Sequence, residues 1–201
     1  MKKKGGGSNG RFRFSNQQKR QRMNITVYLS SKTYIDPDFS KAVEDLGKGI
    51  GAMKARLIYG GSNAGQMHLL ATTAKTAGAT VTGIIPETFR HIADPVVDEM
   101  IYTLDLNERK NKLIALGQIY VALPGGIGTL DEVMATLAEM TVARKYSKPI
   151  ILINVKGLFN PFVEQLKKFT ELNLADPEAV NVIKVVNTAD ECINLIKTIN
   201  S

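Results

Sequence analysis

The chain has no tryptophan, one cysteine and two histidines in 201 residues, and each scarcity excludes a class of chemistry. Cys192 has no second cysteine for an internal disulfide, and its neighbours Ile193, Leu195 and Ile196 suggest a helix interior rather than a nucleophilic site. His68 and His91 lack accompanying metal-type ligands and read as surface or loop residues, so no metal site is expected. Met53, Met67, Met134 and Met140 suit apolar helix faces rather than a redox or cofactor role. No apolar run approaches the roughly 20 residues of a membrane helix, and no charged-then-apolar leader opens the chain. The expectation is a soluble cytoplasmic protein without membrane contact.

Acidic residues are absent from the first 22 positions, which carry eight of the 26 basic side chains. The other 179 residues hold 18 basic and 19 acidic groups, so the formal charge of +7 belongs to one end of the chain. It gives no reason to expect nucleic acid as a ligand of the folded part. Residues 1–22, a lysine run with a Gly/Ser spacer and glutamines, cannot bury a core. They read as a disordered basic leader, native or artificially appended, or alternatively as an anion-binding arm with Phe12 and Phe14 as stacking groups. Residues 23–201 have the length and the apolar content of one domain.

From Met23 onward, short β-branched runs alternate with stretches of helical period. Strands are expected at Asn24–Leu29, Arg56–Tyr59, Thr80–Ile85, Ile101–Leu104, Ile119–Leu123, Pro149–Asn154 and Val182–Val186. Helices are expected at Asp38–Ala52, Gly65–Ala77, Asn107–Leu116, Thr129–Ala143, Pro161–Leu172 and Ala189–Ile199, with Thr129 and Thr188 as caps. This is the pattern of an α/β, Rossmann-like three-layer sandwich, a mostly parallel sheet of about seven strands with helices on both faces. Ligands in such folds sit beyond the carboxyl ends of the strands.

One loop at that edge stands out. The run Pro124-Gly125-Gly126-Ile127-Gly128-Thr129 joins a strand to a helix, so its backbone can approach a ligand closely while the helix start offers amides and a positive dipole end to an anion. A P-loop needs a lysine before the hydroxyl residue, where this chain has Gly128, so a single phosphate is expected rather than a magnesium-bound triphosphate. Glycines required only by a tight turn are the competing reading. The second glycine turn, Tyr59–Gly65, also joins a strand to a helix. Read as a dinucleotide fingerprint, with Gly60, Gly61 and Gly65 and with Glu87 on a ribose, it departs from G-x-G-x-x-G spacing. Arg109 and Lys110 are cations at a helix start, where the macrodipole disfavours them. An anionic ligand or a carboxylate such as Glu132 would offset that placement, and neutralisation by Glu108 is the plainer account.

These elements resemble the LONELY GUY (LOG) phosphoribohydrolases, also called lysine-decarboxylase-like. The signature P-G-G-x-G-T-x-x-E matches Pro124–Glu132, the E-R-K element matches Glu108-Arg109-Lys110, and the likeness spans residues 24–199 with Tyr59–Gly61 and Ile85-Pro86-Glu87. The resemblance implies a Rossmann-like homodimer that hydrolyses the N-glycosidic bond of a nucleoside 5′-monophosphate, a cytokinin riboside monophosphate or AMP, to free base and ribose 5-phosphate without metal or cofactor. It implies Arg109 and Glu132 as the catalytic pair and Gly125, Gly126, Gly128 and Thr129 as phosphate holders, with Gly61, Glu87 and Lys110 as further substrate contacts. Tyr28-Leu29-Ser30-Ser31 departs from the family's C-G-S-S, and Gly65-Gln66-Met67-His68 from its G-L-M-G, which bears on base preference. A carrier or sensor on the same fold, as in LOG-like molybdenum-cofactor carriers, is the alternative. Lysine decarboxylation would require pyridoxal phosphate bound to a lysine, and these residues define no such site.

Overall fold

The computed structural model describes residues 22–200, and both readings of the basic segment through residue 21 lie outside the described residues. Seven strands form one sheet: β1 (Asn24–Tyr28), β2 (Arg56–Tyr59), β3 (Thr80–Pro86), β4 (Glu99–Thr103), β5 (Ile119–Ala122), β6 (Ile150–Ile153) and β7 (Ile183–Val186). Their order is β4-β3-β2-β1-β5-β6-β7 and every neighbouring pair is parallel. The helices are α1 (Pro37–Ala52), α2 (Gly65–Thr76), α3 (Leu106–Leu116), α4 (Ile127–Ala143), α5 (Asn160–Glu171), α6 (Pro177–Asn181) and α7 (Ala189–Ile199). Short 3-10 segments lie at Glu87–Ile92 and Val155–Gly157.

The central strands are apolar on both faces because helices cover both. Ile25, Val27, Leu57, Tyr59, Val121 and Ile151 point toward α1, α2 and α7, where Cys192 is fully buried and its thiol is pushed up to about 12 by desolvation. Tyr28, Ile58, Tyr120, Ala122 and Leu152 point toward α3, α4 and α5. Helix α1 packs closely on α2 because Gly51 has no side chain: a Cβ there would lie 2.3 Å from Ala77 Cβ.

Three expectations need correction. Helix α4 begins at Ile127 with Gly126 as a cap lacking a side-chain bond, so Thr129 is a buried residue of the first turn rather than a cap. Strand β4 starts at Glu99, before its apolar run, since backbone pairing with β3 fixes its extent. The four methionines also divide: Met140 is buried in the core on the α3–α5 face and Met53 packs against the core on the α1 face, whereas Met134 is exposed and Met67 borders a cavity. Among the described residues no helix is long and apolar enough to cross a membrane.

Candidate active site

Strands β1 and β5 are neighbours, but the helices that follow them, α1 and α4, cover opposite faces of the sheet. A crevice necessarily opens where the two connections diverge, at the carboxyl edge. It holds a cavity of about 550 Å³ bordered by Ser30–Lys32 after β1, Met67 of α2, Arg109 and Lys110 of α3, and Gly126 with Gly128, Thr129 and Glu132 at the start of α4.

The two glycine turns differ in what their glycines do. Gly61 and Gly65 have φ of +73° and +47°, and a Cβ at Gly65 would lie 2.3 Å from the Lys32 carbonyl oxygen. Both are required by backbone shape and packing. Gly125 is required as well, since a Cβ there would lie 2.0 Å from Thr129 Oγ1. Gly126 and Gly128 are the exception: neither has positive φ, both are exposed, and a Cβ on either would meet nothing within 4 Å. The fold does not demand glycine at these two positions, and the space a side chain would fill is the cavity. The amides of Ile127, Gly128 and Thr129 precede the first bonded turn of α4, whose opening bond runs from Leu130 N–H to the Gly126 carbonyl (3.1 Å).

Across the cavity, helix α3 is started by its own acids. Asp105 accepts from the Glu108 amide (2.8 Å), and Glu108 reaches back to the Leu104 amide (2.7 Å). Glu108 is thereby occupied as a cap, and Arg109 and Lys110 turn into the crevice. Arg109 Nη1 lies 3.1 Å from Glu132 Oε1 with both side chains largely buried, and its Nε donates to the Ile84 carbonyl (3.1 Å). Lys110 Nζ pairs with Asp131 at 2.9 Å. Burial pushes the Glu132 carboxyl up to about 7, against the opposing pull of Arg109. A carboxyl so poised and paired with a cation is equipped to steady a developing positive charge or exchange a proton near neutrality.

Arg109, Glu132, Lys110, Gly126, Gly128 and Thr129 therefore line one cavity, while Gly61, Glu87 and Gly125 do not border it. Glu87 is exposed and forms a two-point pair with Arg90 (2.6 and 2.9 Å). Lys32, Met67, Asn107 and Asp131 also border the cavity, a role that no sequence motif assigns to them. Lys32 lies just beyond the Ser30-Ser31 departure, and proximity to β1 at the switch point is the signal that marks it. His68 is also more than a loose surface residue: its Nδ1 lies 3.0 Å from a buried Asp94 oxygen. His91 is exposed. Among the described residues no group of three or more His, Cys, Asp or Glu is placed to hold a metal ion.

A smaller, mainly apolar recess adjoins the cavity through Ser31, Met67, Leu106 and Arg109, and is also lined by Ile85, Pro86, Phe89 and Ile92.

The family model described as "possible lysine decarboxylase" matches residues 67–196. The cytokinin riboside 5′-monophosphate phosphoribohydrolase of Arabidopsis thaliana known as LOG3 is 30% identical over 90% of this chain and 84% of its own. The enzyme of that name from Rhodococcoides fascians is 31% identical over 71% of this chain and 73% of its own. The chain belongs to the LOG family. Among solved structures, the molybdenum cofactor binding protein of Rippkaea orientalis superposes with a TM-score of 0.70 at 27% identity, over 90% of this chain and 99% of that one. The residues matched by the family model include both the Pro124–Glu132 turn and the Glu108–Lys110 helix start.

Proposed function

We propose that this protein hydrolyses the N-glycosidic bond of a nucleoside 5′-monophosphate, releasing free base and ribose 5-phosphate. The observation that carries the reading is the pair of glycines, Gly126 and Gly128, that the fold does not require and that open onto a cavity containing the Arg109–Glu132 pair. The phosphate rests on the amides at the start of α4, favoured by the helix dipole, and Lys110 exchanges part of its Asp131 contact for it. That grip supplies binding energy remote from the reacting bond and sets the sugar carbon beside Glu132. As the base departs, positive charge develops on the sugar. The ionised carboxylate steadies this charge and orients the attacking water, while Arg109 favours the ionised form.

The adjoining recess supports a base bearing an apolar substituent. Ile85, Phe89 and Ile92 fit an isoprenoid group on adenine better than they fit water, in line with the cytokinin substrates named for the two relatives. The test is incubation with AMP and with an isoprenoid-bearing adenosine monophosphate, measuring base and ribose 5-phosphate in equal amounts. Higher kcat/KM for the latter is expected, and release of neither base would defeat the reading. It would then favour a carrier, the reading to which the likeness to a molybdenum cofactor binding protein points.

If the ionised carboxylate is the working form, kcat/KM rises with pH through about 7 and levels off above it, as the raised Glu132 carboxyl loses its proton. A profile falling over the same range would assign Glu132 the role of acid instead.

Helix α4 presents Ile127, Met134, Ala138 and Val142 on its solvent side, with Leu104 and Leu106 exposed near the cavity. This apolar stripe supports a homodimer, expected as twice the chain mass in equilibrium sedimentation. A monomer at micromolar concentration would contradict it.

A further inference from the structure

The turn between β2 and α2 carries no cradle of its own, yet it is tied to its surroundings at several points. Asp94, whose side chain is fully buried, accepts from Tyr59 OH at the end of β2 (2.9 Å) and from its own loop's Val96 amide (3.1 Å). His68 Nδ1, on α2, lies 3.1 and 3.0 Å from the two carboxylate oxygens. A carboxylate only accepts, so Nδ1 carries a proton and the remaining ring nitrogen faces Thr72 Oγ1 at 3.4 Å. The Asp94 backbone amide meanwhile donates to the Gly61 carbonyl (2.8 Å), the Asn63 amide to the Ile92 carbonyl (2.9 Å), and Ser62 bridges Ala93. One buried carboxylate thus joins β2, α2 and the segment after residue 92.

What this clamp holds in place is Gly60. A Cβ at Gly60 would fall 2.2 Å from Arg109 Nη2 and 3.1 Å from Met67 Cε, so the guanidinium rests directly on the Gly60 backbone. With Nε held by the Ile84 carbonyl, Arg109 is confined between two backbone surfaces and aimed at Glu132.

We propose that Asp94 is a positioning residue for Arg109: with Tyr59 and His68 it fixes the 60–64 turn on which the guanidinium is seated. The inference rests on the reading of Arg109 and Glu132 as the reacting pair, but its consequence is measurable without turnover. The Glu132 carboxyl is faced by Arg109 and Lys110 from α3, by Asp131 of its own helix and by Tyr28 of β1. Of these, Gly60 meets Arg109. Loosening the turn weakens the Arg109 contact and leaves the rest in place.

The test compares the full chain with Asp94→Asn and with Tyr59→Phe, which removes one hydrogen bond at nearly constant volume. Glu132 is followed by carbon NMR of labelled glutamate, assigned by its loss in Glu132→Gln, in nucleotide-free protein. In both variants Glu132 is expected to titrate at higher pH than in the parent. For AMP turnover, kcat falls about tenfold or more while KM changes by less than about threefold, because the phosphate seat is on α4. Should Asp94→Asn fail to fold, the Tyr59→Phe titration decides. Folded variants in which Glu132 titrates as in the parent overturn the proposal. If the parent cleaves neither AMP nor the isoprenoid-bearing nucleotide, the proposed reaction fails separately, and the titration still decides the role of Asp94.

Discussion

Replacing Glu132 with glutamine is expected to lower kcat by about 10²- to 10⁴-fold while leaving AMP binding within a few-fold of the parent. Glutamine keeps the shape but cannot ionise, and the charge opposite the developing sugar cation is lost. The same substitution should not weaken the fold at alkaline pH. The Glu132 carboxyl titrates near 7 when folded and at about 4.5 when free, so its protonated form is the one the folded protein favours, Arg109 notwithstanding. Its contribution to stability is fully present below pH 4.5 and is lost as pH rises through 7. Glutamine resembles the protonated acid and does not undergo this loss. At pH 8 the melting temperature of Glu132→Gln should equal or exceed that of the parent, as scanning calorimetry would show. A markedly lower melting temperature, or turnover at the parent rate, would mean that the pair is structural.

The second large effect concerns glycine. Gly128 lies within α4 without positive φ and with open space where a Cβ would go. Alanine should therefore stabilise the helix by about 0.5–1 kcal/mol. If the space belongs to the phosphate, the same methyl group displaces it from amides that each contribute about 1.5–3 kcal/mol to a charged partner. Gly128→Ala is expected to melt no lower than the parent and to show KM for AMP raised about tenfold or more, and Gly126→Val to act more strongly. A gain in stability with unchanged KM would show that the glycines do not face the ligand.

The contrast between the two turns marks the limit of what sequence discloses. Both present glycines between a strand and a helix, and spacing alone leaves open whether either set serves a ligand. Only the surroundings separate them: Gly65 is pressed against the Lys32 backbone and Gly125 against Thr129, whereas Gly126 and Gly128 face open space. The five inner strands were legible because burial on both faces makes them short, continuous apolar runs, and all seven expected strands are present. The exception in extent, β4, is an edge strand whose first residue, Glu99, is exposed and set by pairing with β3. Helix α6, five residues long, is too short to display a period.

In the cavity, Arg109 and Glu132 were conspicuous because a cation at a helix start calls for an anion, and the structure places that carboxylate 3.1 Å away. The link between His68 and Asp94 was not legible. The two are 26 positions apart, and the loop that brings them together has no regular pattern. Met67 resembles a core residue in sequence because half of its surroundings are core: it packs on the α2 side while its end borders the cavity.

The position of a nucleotide's phosphate decides between these readings of the crevice, and a crystal structure of Glu132→Gln soaked with AMP measures it directly. The expected result has phosphate oxygens about 2.7–3.2 Å from the amides at the start of α4, with the sugar carbon bearing the base beside residue 132 and the base toward Phe89. A phosphate bound at the 60–65 turn, or a nucleotide held with its base in the α4 cradle, would contradict it.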